Sequence, residues 1–178
     1  MKHFSKIILS LLLFVSVSAS AQNLKFGHIN SQELISLMPE RDSAVLKLEK
    51  YAENLEETMQ AMQVEFQTKL NTYQQRQATW TAAVLESRTK ELQQLESNIQ
   101  QFQQTASQEY QQMQQILFTP VLQKANDVIN KIGKDNGFIY IFDTAAGNIP
   151  FINTDLSQDI LPLAKAALNI PADKKAVQ

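Results

Sequence analysis

The stretch QQRQATWTAAVLESR, Gln74 to Arg88, decides how this chain folds. It holds the one tryptophan, Trp80, near the middle of a segment, Glu40 to Thr119, that contains no glycine and no proline. Upstream, positions alternating in steps of three and four read Val45, Leu48, Ala52, Leu55, Met59, Met62, Phe66, Lys69, Tyr73, Arg76 and Trp80. Nine of these eleven are apolar or aromatic, the pattern of a long helix packed along one stripe against another helix. Downstream, a second series runs Leu85, Arg88, Leu92, Leu95, Ile99, Phe102, Ala106, Glu109, Met113 and Ile116, eight of ten apolar. The two series do not join. The first would repeat at Ser87, whereas the second starts two residues earlier, at Leu85.

Such a phase break marks either a discontinuity in one straight coiled-coil helix or the tip of an antiparallel hairpin. Straight, the helix would reach about 120 Å; folded back, each arm would measure about 60 Å. The break lies near the midpoint of Val45 and Leu117. Equal arms therefore return the chain to its starting point, which favours a hairpin with its tip near 80–85. ATWTAAVL lacks the Gly or Pro of an ordinary turn, which keeps the straight rod as the alternative. In a hairpin, Trp80 either closes the tip on Val84 and Leu85 or faces outward as an exposed contact.

All glycines and prolines lie outside this segment. LKFGHIN (Leu24–Asn30) reads as a strand, after which Asn30 caps a helix with Glu33 reaching back, and Pro39 opens the next helix. Pro120 is expected to end or kink the returning helix, whose apolar face resumes at Val121, Leu122, Ala125, Val128, Ile129 and Ile132. FIYIFD (Phe138–Asp143) reads as a strand buried on both sides, TAAGN as a turn and IPFIN (Ile149–Asn153) as a further strand. TDLSQDILPLAKAAL (Thr154–Leu168) reads as a capped terminal helix, and 171–178 as a frayed tail. The fold class is mainly α with a small β body. A helical hairpin at 40–119 is inserted in a discontinuous α+β body formed by 22–39 and 120–170.

At the N-terminus, Lys2 and Lys6 precede the apolar run Ile7–Val17, and Ala19–Ala21 offers small residues for cleavage. This is the layout of a signal peptide (1–21) cleaved after Ala21; the run is too short to span about 30 Å of hydrocarbon. Without Lys2 and Lys6, 14 basic residues face 18 acidic ones, and no basic face points to nucleic acid. No cysteine is present, so the exported chain must be held by packing or association.

Catalytic chemistry is not expected. His28 is the one histidine of the mature chain, no glycine-rich phosphate loop follows a strand, and Asp143, Asp155 and Asp159 read as turn and cap residues. No catalytic, cofactor or metal residues are assigned. The 17 glutamines between Gln60 and Gln115 read as solvated helical faces, since glutamine is a good helix former.

The order of LKFGHINSQELISLMPE, a long Gln-rich hairpin, VLQKANDVINKIGKDNGFIYIFD and TDLSQDIL resembles the Skp (OmpH-like) family of periplasmic chaperones, from Leu24 to Leu168. The resemblance implies a periplasmic, ATP-independent holdase that keeps unfolded outer-membrane proteins in a cavity between the hairpins of a homotrimer. Body contacts between copies would fall to Phe26, Ile29, Phe138, Ile139, Tyr140, Ile141 and Phe142, since a body of about seventy residues buries little core alone. Client contacts would fall to Met59, Met62, Phe66, Leu70, Trp80 and Val84. Some members are strongly basic and bind lipopolysaccharide, but Arg41–Thr119 here holds seven basic and ten acidic residues. Lys69, Arg76, Arg88 and Lys90 are the one cluster for lipopolysaccharide or a membrane surface, with a solvated distal face as the alternative. No cofactor is implied. A structural coiled-coil spacer or adaptor of the cell envelope, its seam filled by a partner helix, is the competing reading.

Overall fold

The structure, a computed structural model, describes residues 24–147 and 149–176. The expected signal peptide lies outside them. Strand β1 (Lys25–Ile29) leads into helix α1 (Ser31–Leu37), and the Asn30 side chain caps it by accepting the Glu33 N–H at 3.0 Å. Met38, extended and fully buried, forms the corner to α2 (Pro39–Arg76). Pro39 sits at the start of that helix, where its missing N–H costs nothing. A single 3-10 turn, Gln77–Thr79, and two extended residues, Trp80 and Thr81, reverse the chain into α3 (Ala82–Asp135). The 38 residues of α2 form an arm of about 57 Å. The segment is a hairpin.

Pro120 does not end α3, which runs unbroken for 54 residues. Proline deprives the Ile116 carbonyl of its partner, but Pro120 and Ile116 are both exposed, where water can take that bond. Beyond it Val121, Ala125 and Ile132 are buried in the core, and this burial carries the helix through.

After α3 come β2 (Phe138–Asp143), β3 (Ser157–Asp159) and α4 (Leu161–Ala167). The three strands form a parallel sheet in the order β2–β1–β3. Two expectations are corrected here. Ile149–Asn153 is not a strand; Pro150 within it has no N–H for a ladder. Thr154–Ile160 is not helical, because Ser157–Asp159 pairs with Phe26–His28 instead, filling the second edge of β1. The terminal helix starts only at Leu161, whose N–H bonds the Asp159 carboxylate at 2.9 Å.

The core lies between the sheet's inner face and α1, the end of α3 and α4, with Ile29, Leu34, Leu37, Met38 and Ile160 fully buried. Gly27 lets these layers close: a Cβ there would stand 3.1 Å from the Phe138 ring and 3.2 Å from Ile141 and Ile160. β2 departs from expectation as well. It is an edge strand, and its Ile139, Tyr140 and Phe142 are exposed rather than buried on both faces.

The tail is also corrected. The buried Lys165 donates to the carbonyls of Ala172 at 2.5 Å and Lys174 at 2.8 Å, so 171–176 docks instead of fraying; 177–178 lie outside the described residues.

Asp143 ties the end of β2 to the start of α1. Its carboxylate accepts the Ser31 N–H at 3.1 Å, the Ser31 hydroxyl at 2.5 Å and the Ala145 N–H at 2.9 Å. Burial pushes this carboxyl up, but the bonds from Ser31 and Ala145 together outweigh it and hold it below the usual carboxylate range. Asp143→Asn should cost about 1–3 kcal/mol in urea denaturation at neutral pH. A carboxyl with a depressed folded value contributes fully above its unfolded value, about 3.9, and loses that contribution as pH falls through the lower folded value. Wild type and variant should therefore converge in stability in that acid range.

Candidate functional site

The two arms meet in one antiparallel register. The Tyr51 hydroxyl donates to the Glu109 carboxylate at 2.9 Å, and Lys69 pairs with Glu91; Lys69 lies 18 residues beyond Tyr51 and Glu91 lies 18 before Glu109. The Tyr73 hydroxyl and Thr89 hydroxyl meet at 3.1 Å near the tip, and Lys124 pairs with Glu40 at the root. Along the seam Leu48 is buried, while Leu55, Met59, Met62, Phe66, Leu92, Leu95, Ile99 and Phe102 are half-buried among exposed neighbours. At the root the half-buried Leu117 replaces the exposed Ile116.

This packing sorts the expected client contacts. Met59, Met62 and Phe66 are half-buried at seam positions, Leu70 is half-buried beside the seam, and Val84 is exposed near the tip. Sequence reasoning missed the exposed apolar residues off the seam: Leu46 at 66%, Val64 at 59% and Tyr110 at 37% exposure. The signal for them was present, since each falls outside the three-four series.

At the tip, threonines replace Gly and Pro. The Thr79 hydroxyl donates to the Arg76 carbonyl at 2.8 Å, satisfying an orphan acceptor at the end of α2. Thr81 caps α3 by accepting the Val84 N–H at 3.4 Å. Trp80 is half-buried, its ring edge-on to Tyr73 with centroids 5.7 Å apart at 70°. It lines a groove of about 190 Å³ together with Tyr73, Val84, Leu92 and the cations Lys69, Arg76 and Arg88.

The expected cation cluster is largely neutralised. Glu91 accepts from Lys69 and from Arg88, the latter at 2.7 Å, and these bonds, Lys69's first, hold its carboxyl below the usual range. The bond to Glu91 in turn raises Lys69. Lys90 pairs with Glu86 at 2.7 Å. Among the described residues, Arg76 alone of the four has no carboxylate at ion-pair distance.

A second surface lies on the sheet's outer face. Phe26 and Tyr140 stack with centroids 6.5 Å apart, and Tyr140 and Phe142 at 6.1 Å. Tyr140 is 62% exposed, and Phe151 and Leu156 stand 78% and 75% exposed around an apolar groove of about 340 Å³ that Phe26 and Phe142 also line. Of the seven expected body residues, Ile29 is in the core, Phe138 and Ile141 pack against it, and Ile139, Tyr140 and Phe142 are exposed; Phe26 is half-buried. His28 is held by Ser157, its Nδ1 2.9 Å from the hydroxyl. Among the described residues, no group of three or more His, Cys, Asp or Glu could hold a metal ion, and no helix is long and apolar enough to cross a membrane.

A protein-family model described as outer membrane protein (OmpH-like) matches residues 25–163. A crystal structure from Caulobacter crescentus, provisionally described as an outer membrane chaperone (OmpH-like), aligns with a TM-score of 0.70 at 17% identity. It covers 87% of this chain and 88% of that one, and it shares the fold. No curated protein matches the chain in sequence.

Tyr73→Ala tests the tip. It should shift Trp80 emission to the red and speed amide exchange across Gln77–Thr81, at a cost in stability of about 0.5–1.5 kcal/mol beyond the lost area.

Proposed function

Because the chain belongs to the OmpH-like family, we propose that it is a periplasmic, ATP-independent holdase that shelters unfolded outer-membrane proteins between the hairpins of a homotrimer. The observation that carries this reading is that each arm of the hairpin fills the other's seam. The arm then projects with its apolar stripe already satisfied, leaving scattered apolar side chains such as Leu46, Val64, Val84 and Tyr110 among glutamines. Such a surface suits many weak contacts with unfolded chains and no single folded partner. The spacer or adaptor reading needs an open seam for a partner helix, and the return arm occupies it.

The trimer is supported by the sheet. Parallel sheets are ordinarily covered on both faces, yet here helices cover one face and Tyr140 and Phe142 stand open on the other. The sheet's two edges, β2 and β3, differ. A head-to-tail contact joining unlike edges with a rotation of one third of a turn closes into a three-membered ring, in which the outer aromatics would be buried and the exposed edge blunted. In this reading 22–39 and 120–170 form the trimerisation body and 40–119 the tentacle. Contact with lipopolysaccharide or a membrane surface would rest chiefly on Arg76, since Lys69, Arg88 and Lys90 are engaged.

The direct test dilutes an unfolded outer-membrane β-barrel from denaturant into buffer without nucleotide. A molar excess of the purified protein should suppress light scattering, and undiminished scattering would sink the proposal. Exchanging Leu46, Val64 and Tyr110 together for serine should weaken suppression by roughly tenfold, about 1.4 kcal/mol of client affinity, without changing the oligomer.

The assembly has its own measurement. Multi-angle light scattering should give about three chain masses, whereas Tyr140→Lys combined with Phe142→Lys should give single chains that keep their helix content.

A further inference from the structure

The hairpin joins the body at two places, and at each the regular helical hydrogen-bond ladder is interrupted. At Met38 the chain is extended between α1 and α2, with no side-chain cap on α2. At Pro120 the helix lacks the N–H that would bond the Ile116 carbonyl. A bend at Pro120 moves the distal part of α3 and the arm α2 packed on it. Because α2 begins at Pro39, the corner with α1, which Leu34 and Leu37 anchor in the core, sets the direction in which the arm leaves the body.

The C-terminal segment spans this joint. After α4, Asn169 adopts a left-handed φ of 56° and turns the chain back, and Ile170 is buried. The Lys165 ammonium then fixes the backbone of the next residues through the Ala172 and Lys174 carbonyls. It is the one buried charged side chain among the described residues, and both its acceptors come from this segment. Burial of that amine and docking of the segment therefore depend on each other. So held, Lys174 extends its own ammonium across the corner. It donates to the Leu37 carbonyl, at the end of α1, at 3.0 Å and to the Asp42 carboxylate, in the first turn of α2, at 3.4 Å. On the α3 side, Glu40 and Lys124 tie the same turn.

We propose that residues 169–176 form a strap that latches the joint between body and hairpin and so fixes the direction in which the hairpin projects. The strap's position does not depend on the chaperone reading. If that reading holds, the strap also helps to set the width of the cavity.

The test reads hairpin direction by electron–electron spin-label distances in the full chain, which has no native cysteine to compete for label. Labels go on Gln32→Cys in α1 and Glu57→Cys in α2, both exposed, with labelled chains diluted in unlabelled ones so that only the intrachain pair contributes. Glu57 lies 15 residues beyond Asp42. At that distance of about 22 Å, a swing of about 20° moves it by roughly 8 Å. The latched chain should give one narrow distribution. Lys174→Met should broaden it by several ångströms with helix content unchanged, and Asp42→Asn, which removes only the hairpin side of the tie, should do the same. Lys175→Met, one residue away, should leave it narrow. Should Lys174→Met fail to fold, Asp42→Asn decides alone. Narrow distributions in the tie variants that fold, or equal broadening in Lys175→Met, would overturn the strap.

Discussion

The antiparallel register between α2 and α3 is the constraint on which the rest of the molecule depends. A helix turns about 100° per residue, so slipping one arm by a single residue would carry its whole apolar stripe out of the seam. Apolar layers alone discriminate poorly between registers, because one leucine layer resembles another. The polar seam positions supply the discrimination. Lys69 and Glu109 look like failures of the heptad when each arm is counted separately, yet each has its partner on the opposite arm, Glu91 and Tyr51 respectively. Each pair has its partner in reach only when the arms are correctly aligned. The polar residues in the seam thus specify an alignment that its apolar residues stabilise.

With the seam closed, the molecule divides into a part whose apolar surface is satisfied and a part whose surface is not. The arms bury their stripes in each other and show glutamine outward. The body cannot do the same, since α1, α3 and α4 cover only the inner face of a three-stranded parallel sheet. Its outer face keeps Tyr140, Phe142, Phe151 and Leu156 exposed in one area. Apolar burial still to be gained therefore lies in the body rather than along the arms.

The hairpin was legible because its periodicity extends over some seventy residues and its phase breaks at one place. Asn30 and Pro39 were legible because capping and first-turn rules are local. What escaped depended on partners distant in sequence. Ser157–Asp159 is a polar tripeptide with no strand pattern, and it becomes a strand because β1 has an edge to fill. IPFIN has the composition of a strand, but Pro150 within it lacks the N–H that a ladder needs. Pro120 obeyed its local rule only in losing one bond, since core burial on its C-terminal side outweighed the tendency to stop. Lys165 and Lys174 carry no sequence signal of burial, because lysine is ordinarily solvated, and the carbonyls that hold them become neighbours only after α4 turns back. Among the expected contact residues, those on the seam were found by a rule that also buries them. The exposed apolar residues that were missed, Leu46, Val64 and Tyr110, fall outside that rule.

Charge completes the picture of the arm. Four of the seven cations between Arg41 and Thr119, namely Arg41, Lys69, Arg88 and Lys90, are already in ion pairs with neighbouring carboxylates. Exposed pairs of this kind contribute little to stability, but they cancel the field that would draw an anionic partner to the tip. The remaining acidic excess is spread thinly along a surface of neutral amides. Long-range electrostatic attraction is therefore weak on this arm, and a guest chain would be retained by short-range contacts with isolated apolar side chains. Each such contact is small and none requires a fixed geometry. A surface built in this way can hold a chain without ordering it.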